Sequence, residues 1–354
     1  MKNGLALLSD AFEPLVAKAQ GNAKALLRLA ELARSQHSHE RAVEIAWEAR
    51  AAATGDPVLY AQASDFVAQT VPSWHWHMLR DQPRNKAFED ALKRAVTPET
   101  RVLDVGSGSG LLAMLAARAG AKSVVSCEAH PSIAKVAQEI VDLNGFADKV
   151  TILARHSKDI DPDADLGGPV DLVVSEIIGK DVVDECVVPA MLDVARRLLK
   201  PGGQVIPRRA DVRVALAWWD GLAERGLNTV CGFDMTPFNR LLISRKSLAR
   251  DEEGLEIRGA AASLFSFDFA TTDAAQDHAE IELVAGGGPV NGVVQWIRLQ
   301  MDEVGYFENR PDAQERSSWG VQFFPLTSPI DAAAGAKVRI GGSHFGNTLR
   351  LWEA

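Results

Sequence analysis

Two glutamates carry the clearest chemistry in the sequence. Glu176 follows the apolar run 171–174, and Glu185 stands nine residues later, before a segment with Pro189 in its first turn. Acids at the two ends of one loop can grip a guanidinium through charge-assisted, often bidentate hydrogen bonds. Arginine stays protonated near neutral pH and is a poor nucleophile. Two carboxylates can concentrate its charge on part of the group, free one nitrogen to attack, and hold it in line with a methyl sulfonium. Taken singly, Glu185 reads as a helix-start acid favoured by the dipole.

The donor side is written in a glycine loop. The run 102–105, which includes Asp104, leads into Gly106-Ser107-Gly108-Ser109-Gly110, and an Ala/Leu helix follows over 111–118. Glycines let the backbone turn tightly and approach a ligand closely. The ligand then sits at the carboxyl end of a sheet, beside a helix N-terminus. The spacing is GxGxG in place of GxGxxG, which tilts the reading from a dinucleotide toward S-adenosylmethionine, a cofactor without a pyrophosphate. Glu128 ends the next apolar run, 18 residues after Gly110, where an acid can accept hydrogen bonds from both ribose hydroxyls. A structural turn and a solvated strand-end acid would give the same letters. Loop and acid alone do not separate this cofactor from NAD.

These residues need a frame. The chain has 354 residues, room for two or three domains, with an ordinary hydrophobic share of 47%. A net charge of −9 argues against a dedicated nucleic-acid binder and is compatible with a basic substrate. There is no apolar run of about 18 residues, so no membrane span is expected, and the first residues lack a signal-peptide cleavage site. Cys127, Cys186 and Cys231 lie far apart without a CxxC, and the histidines show no HExxH. Neither a metal site nor a disulfide framework is expected, and a reducing cytoplasm fits.

Residues 1–70 read as helical: Leu26, Leu27, Leu29, Ala30 and Ala33 recur with helical spacing, as do Ala42, Val43, Ile45, Ala46, Ala49 and Ala53. Gly55 breaks the pattern, Asp56 is placed to cap a third helix reaching about Thr70, and Pro57 falls in its first turn. This is either a tetratricopeptide-like array or a helical cap on the next domain. Over 71–207, runs at 102–105, 124–127, 150–153 and 171–174 alternate with helices, which predicts a parallel α/β sheet. A helix near 187–199 is expected to stop at Lys200-Pro201-Gly202-Gly203. Over 208–354 the runs at 212–216, 264–269 and 293–299 predict an all-β sandwich or barrel.

Together these residues resemble the protein arginine N-methyltransferase family, over about 71–352. The stretch 102–121 looks like its cofactor loop, and Ser175-Glu176 with Glu185 looks like its double-glutamate loop. Met78-Leu79-Arg80-Asp81-Gln82-Pro83-Arg84-Asn85 looks like the helix that closes over the cofactor. The resemblance implies a Rossmann-like S-adenosylmethionine domain followed by a β-barrel. It implies that Arg84 pairs with the methionine carboxylate, Met78 packs near the sulfonium and Asp81 lies by the substrate. Trp319 would line the acceptor groove. Without the resemblance, Met78 reads as core, Asp81 and Arg84 as solvated, and Trp319 as core. The implied partners are a protein with an accessible arginine and a second copy docked through an arm near 218–246. The helical N-terminal region beside the 74–85 cluster, Gly145-Phe146-Ala147-Asp148-Lys149 and His156-Ser157 looks closest to the divergent branch typified by types seven and nine.

There are departures. Ser317-Ser318-Trp319 stands where the family has Thr-His-Trp, and Ser318 cannot take up a proton near neutral pH. Tyr60 and Tyr306 are the only tyrosines, so none covers the cofactor; Trp74, His75 and Trp76 are the substitutes. Lys158 occupies the place of an adenine-binding acid, which leaves that contact to backbone or Ser157. Two further readings stay open: the same fold acting on a non-arginine acceptor, and a non-catalytic cofactor-binding scaffold.

Overall fold

The computed structural model describes residues 12–69, 74–242, 244–271, 277–313, 317–345 and 348–354. The expected helix end at Thr70, the segment 71–73 and the side chain of Trp74 lie outside the described residues.

The N-terminal region is made of helices, including Ala23–Ser35, His39–Ala52 and Pro57–Ala68. Asp56 caps the third as its sequence suggests: Oδ1 accepts from the backbone N–H of Val58 and Leu59, both at 3.0 Å. Leu26, Ala30, Ile45, Ala46 and Phe66 form its buried core. The alanines let the helix pairs approach closely. Helix His39–Ala52 also meets helix Pro131–Leu143 of the next unit.

The middle of the chain builds β1 (Arg101–Val105), β2 (Ser123–Cys127), β3 (Val150–Leu153), β4 (Val170–Ser175) and β5 (Leu199–Ile206) into a parallel sheet of order β3-β2-β1-β4-β5. The chain steps outward from β1 to β3, then returns to the other side of β1, so the topological switch point lies between β1 and β4. Val105 pairs in register with both Cys127 and Ser175. Gly106, Glu128 and Glu176 therefore leave the sheet side by side.

The stop signal acts as expected, since helix Val187–Arg197 ends before it. Lys200-Pro201-Gly202-Gly203, however, lies inside β5. Val170 pairs with Leu199 and Leu172 with Gln204, so the four residues bulge out of the strand.

The last part is antiparallel. Its strands are β6 (Arg209–Trp219), β7 (Thr229–Val230), β8 (Phe233–Asp234), β9 (Lys246–Leu248), β10 (Leu255–Ile257), β11 (Ala262–Asp268), β12 (His278–Val284), β13 (Gly288–Gln300), β14 (Tyr306–Glu308), β15 (Val321–Ala332), β16 (Lys337–Phe345) and β17 (Thr348–Glu353). A seven-stranded and a three-stranded sheet share a core that includes Phe265, Phe267, Leu283, Val290 and Ile340. The alternation of Phe265, Phe267 and Phe269 is that of a strand with one buried face. The short pair β7–β8 belongs to a projection between β6 and β9 whose Phe233, Phe238 and Leu241 are exposed.

Candidate active site

The glycine loop takes its shape from backbone conformations that side chains resist. Gly106, Gly108 and Gly110 have φ of 82°, 52° and 78°. A Cβ on Gly106 would lie 2.3 Å from Cγ2 of Ile177. Glu128 holds the loop from β2: one oxygen accepts from the Gly108 N–H at 2.9 Å and the other from the His130 N–H at 3.0 Å. Each oxygen keeps a lone pair for a further donor. Asp104 lies wholly buried beneath the loop and accepts from the Ser126 hydroxyl at 2.7 Å. Burial pushes its carboxyl up to about 7.

A cavity of about 770 Å³ opens at this sheet edge. Of the residues singled out in the sequence, Met78, Gly106, Gly108, Glu128, Ser157, Glu176 and Glu185 line it. Arg84, Asp81, Asp104 and Trp319 do not; they lie behind the lining, all buried. The reading of Asp81 and Arg84 as solvated side chains is thus overturned: they are 4% and 2% exposed. Met78 is half-buried against the cavity. Of the substitutes for the missing tyrosines, His75 lines the cavity, whereas Trp76 is exposed and does not.

Arg84 binds Glu176. Its Nη1 donates to Oε2 at 2.8 Å, and the two side chains are 3% and 6% exposed. Nε and Nη2 donate to Asn85 Oδ1 at 3.2 and 2.8 Å, and the guanidinium carbon sits 5.9 Å from the Trp319 ring centre. Trp319 packs on Phe307 with ring centres 5.6 Å apart. Asp81 caps helix Gln82–Ala95 through the Arg84 N–H at 3.1 Å. Its other oxygen accepts from the hydroxyls of Ser317 and Ser318 at 2.9 and 3.0 Å and from the Ser318 N–H at 2.7 Å.

The electrostatics follow from this crowding. Burial raises Glu176 to about 7 against the pull of Arg84, while Glu185, Asp81 and Asp104 add to the rise. Burial also raises Glu185, with His75 opposing. Among the described residues, acids around this end of the cavity outnumber the one buried guanidinium, so a further cation would relieve their repulsion. The loop between the glutamates is conformationally unusual: Val182, Glu185 and Cys186 have φ of 67°, 62° and 58°. Such conformations cost roughly 1–3 kcal/mol each and persist only where the surroundings hold them.

Ile133, Arg155, Ile177, Cys186 and Pro189 also line the cavity and were not read as site residues from the sequence. Ile177 and Cys186 directly follow the two glutamates, which was the available signal.

A family model described as ribosomal protein L11 methyltransferase matches residues 88–207. A protein of Streptomyces achromogenes subsp. streptozoticus named arginine N(omega)-methyltransferase is 36% identical over 288 residues, 80% of this chain and 79% of that one. Protein arginine N-methyltransferase 7 of Oryza sativa subsp. indica is 30% identical over 69% of this chain, which spans 38% of that protein's length. Among solved structures, the Trypanosoma brucei PRMT1 enzyme–prozyme complex with AdoHcy superposes with a TM-score of 0.71 at 26% identity, covering 80% of this chain and 93% of that one. The same two-part fold and a shared sequence along most of its length make this chain a member of the S-adenosylmethionine-dependent arginine N-methyltransferase family.

Proposed function

We propose that the chain transfers a methyl group from S-adenosylmethionine to a guanidinium nitrogen of an arginine in a protein. The observation that carries this is a double-glutamate loop whose acids face one cavity with Glu128 and the glycine loop. The lining fits the cofactor: Gly106 leaves no room for a side chain, Glu128 has lone pairs for a ribose diol, and the acidic surroundings favour a cation. When bound, S-adenosylmethionine supplies a methyl carbon made electrophilic by its sulfonium.

The chain's own residues do the rest. Gly106 and Gly108 bring backbone close to the cofactor, and Asp104 braces the loop. Glu128 would hold the ribose and Ser157 the adenine end; Arg84, released from Glu176, would hold the methionine carboxylate, with Met78 near the sulfonium. Glu176 and Glu185 grip the guanidinium and draw its charge away from the attacking nitrogen. Asp81 and Trp319 fix the geometry from behind, through the helix cap and the Arg84 side chain. The proton released is taken at a carboxylate of the loop, because Ser318 is no base near neutral pH. Glu176→Gln tests the reading. It should lower the yield of labelled methylarginine by about a hundredfold or more while leaving cofactor binding intact; unchanged turnover sinks it.

A second reading concerns the acceptor. The Streptomyces relative is named for arginine, without the word protein, and matches most of both chains. Incubation with methyl-labelled donor and either free arginine or an arginine peptide distinguishes the two acceptors.

Assembly belongs to the same proposal. We take 1–70, 71–207 and 208–354 as functional units, with the first a tetratricopeptide-like module. The projection at 218–246 would dock on a second copy, which the exposure of Phe233 and Leu241, 71% and 73%, supports. A cytoplasmic setting without nucleic acid accords with three free cysteines and the acidic balance. Light scattering of wild type and Phe233→Asp tests the docking: a dimer that dissociates in the variant is expected.

A further inference from the structure

The loop carrying Glu176 and Glu185 is held at its middle by groups from the other half of the molecule. Asp181 stands between the glutamates and its side chain is 3% exposed. One carboxylate oxygen accepts from the backbone N–H of Asp184 at 3.1 Å, closing the turn that delivers Glu185. The other accepts from Arg245 Nη1 at 2.7 Å. Arg245 lies at the base of the projection just before β9, and its carbonyl accepts from Arg225 Nη2 at 3.0 Å. Beside Asp181, the Lys180 carbonyl accepts from Nε2 of Gln295, a fully buried residue of β13, at 3.0 Å.

We propose that Asp181 and Arg245 are a positioning pair for the glutamates. The inference rests on the methyl-transfer reading above and adds residues that touch neither cofactor nor acceptor. The physical case is that the strained backbone of this loop is tied to groups outside it. Val182, Glu185 and Cys186 sit in the left-handed region without being glycine, a state that surroundings must impose. Asp181 joins the turn before Glu185 to the guanidinium of Arg245, in the segment that leads into β9. Each oxygen of Asp181 accepts one of these two bonds. Loss of Arg245 leaves a buried carboxylate without its cation, next to Asp184. The turn then relaxes, and Glu185 loses its alignment with Glu176 while the cofactor cradle, built from β1 and β2, stays in place.

The test uses the full chain with Arg245→Met, Arg245→Lys and Asp181→Asn. Transfer to an arginine peptide is resolved into kcat and KM, cofactor affinity is measured by calorimetry, and backbone exchange over 176–186 is followed by mass spectrometry. Arg245→Met and Asp181→Asn should lower kcat by about tenfold to a hundredfold, the range expected when reacting groups are displaced by about 1 Å. Cofactor affinity should stay within about twofold, exchange over 176–186 should rise, and Arg245→Lys should recover most of kcat because it keeps the charge. Unchanged kcat in Arg245→Met overturns the proposal, and so does unchanged exchange. A fall in kcat matched by an equal loss of cofactor affinity also overturns it, since that reports general damage. Should wild type transfer nothing to arginine, the methyl-transfer reading fails. The exchange comparison would still decide whether Arg245 holds the loop.

Discussion

Ser318 gives Asp81 both of its donors, the N–H at 2.7 Å and the hydroxyl at 3.0 Å, to the same carboxylate oxygen. This link, across 237 positions of the chain, is made by a residue that cannot take up a proton near neutral pH. Asp81 also caps the helix that supplies Arg84. Asp81→Ala should cost about 1–2 kcal/mol for the cap alone, plus the lost tie to Ser317 and Ser318. Urea unfolding checks the stability, and loss of cofactor affinity should accompany it because Arg84 is no longer aimed. Ser318→Ala leaves the Ser318 N–H and the Ser317 hydroxyl in place and should cost under about 1 kcal/mol.

Glu176→Gln keeps shape and can still meet Arg84, but removes the charge that polarises an acceptor. A fall in kcat of about a hundredfold to a thousandfold is expected, the size seen when one electrostatic stabiliser is deleted. Calorimetry should find cofactor affinity nearly unchanged.

Gly106→Ala meets two obstacles, the Ile177 side chain 2.3 Å from the new Cβ and a φ of 82°. Cofactor affinity should fall at least about tenfold, or ~1.4 kcal/mol. Adding Ile177→Ala removes the clash and leaves the backbone cost, so the double variant should recover affinity only in part.

The pH dependence of activity and of stability should run in opposite directions. Burial lifts Glu176 from its ordinary 4.5 to about 7 and Asp104 from 3.8 to about 7. Between those values the folded protein binds more protons than the unfolded chain, so stability falls as pH rises through the window. Activity needs ionised Glu176 and should rise toward pH 7 over the same window. The sulfonium is a cation, so saturating cofactor should move the acid limb to lower pH. Profiles of kcat and kcat/KM, with urea unfolding at matched pH, measure both trends.

The legible parts of this molecule are those set by neighbours in sequence. Gly106 and Gly108 sit in a strand–turn–helix whose letters dictate it, and Glu128 and Glu176 could be placed because parallel strands end level. Asp56 and Pro57 announce a helix start for the same local reason. What escaped depends on partners far along the chain. Asp81 meets Ser317 across 236 positions, and Asp181 meets Arg245 across 64. Neither side chain advertises its partner: apart from the resemblance Asp81 reads as solvated, and Asp181 was given no role. The bulge at Lys200-Pro201-Gly202-Gly203 was hidden because a helix stop and a strand irregularity use the same residues. Short strands such as β9 and β10 offer only three positions each, too few to establish a period.

The acid-rich end of the cavity bears on how the protein is handled at the bench. Guanidinium chloride is a poor choice of denaturant here, because its cation is the acceptor's own head group freed of the chain. At concentrations far below unfolding it should occupy the space between Glu176 and Glu185 and compete with arginine. Urea, which carries no charge, leaves that space to the substrate.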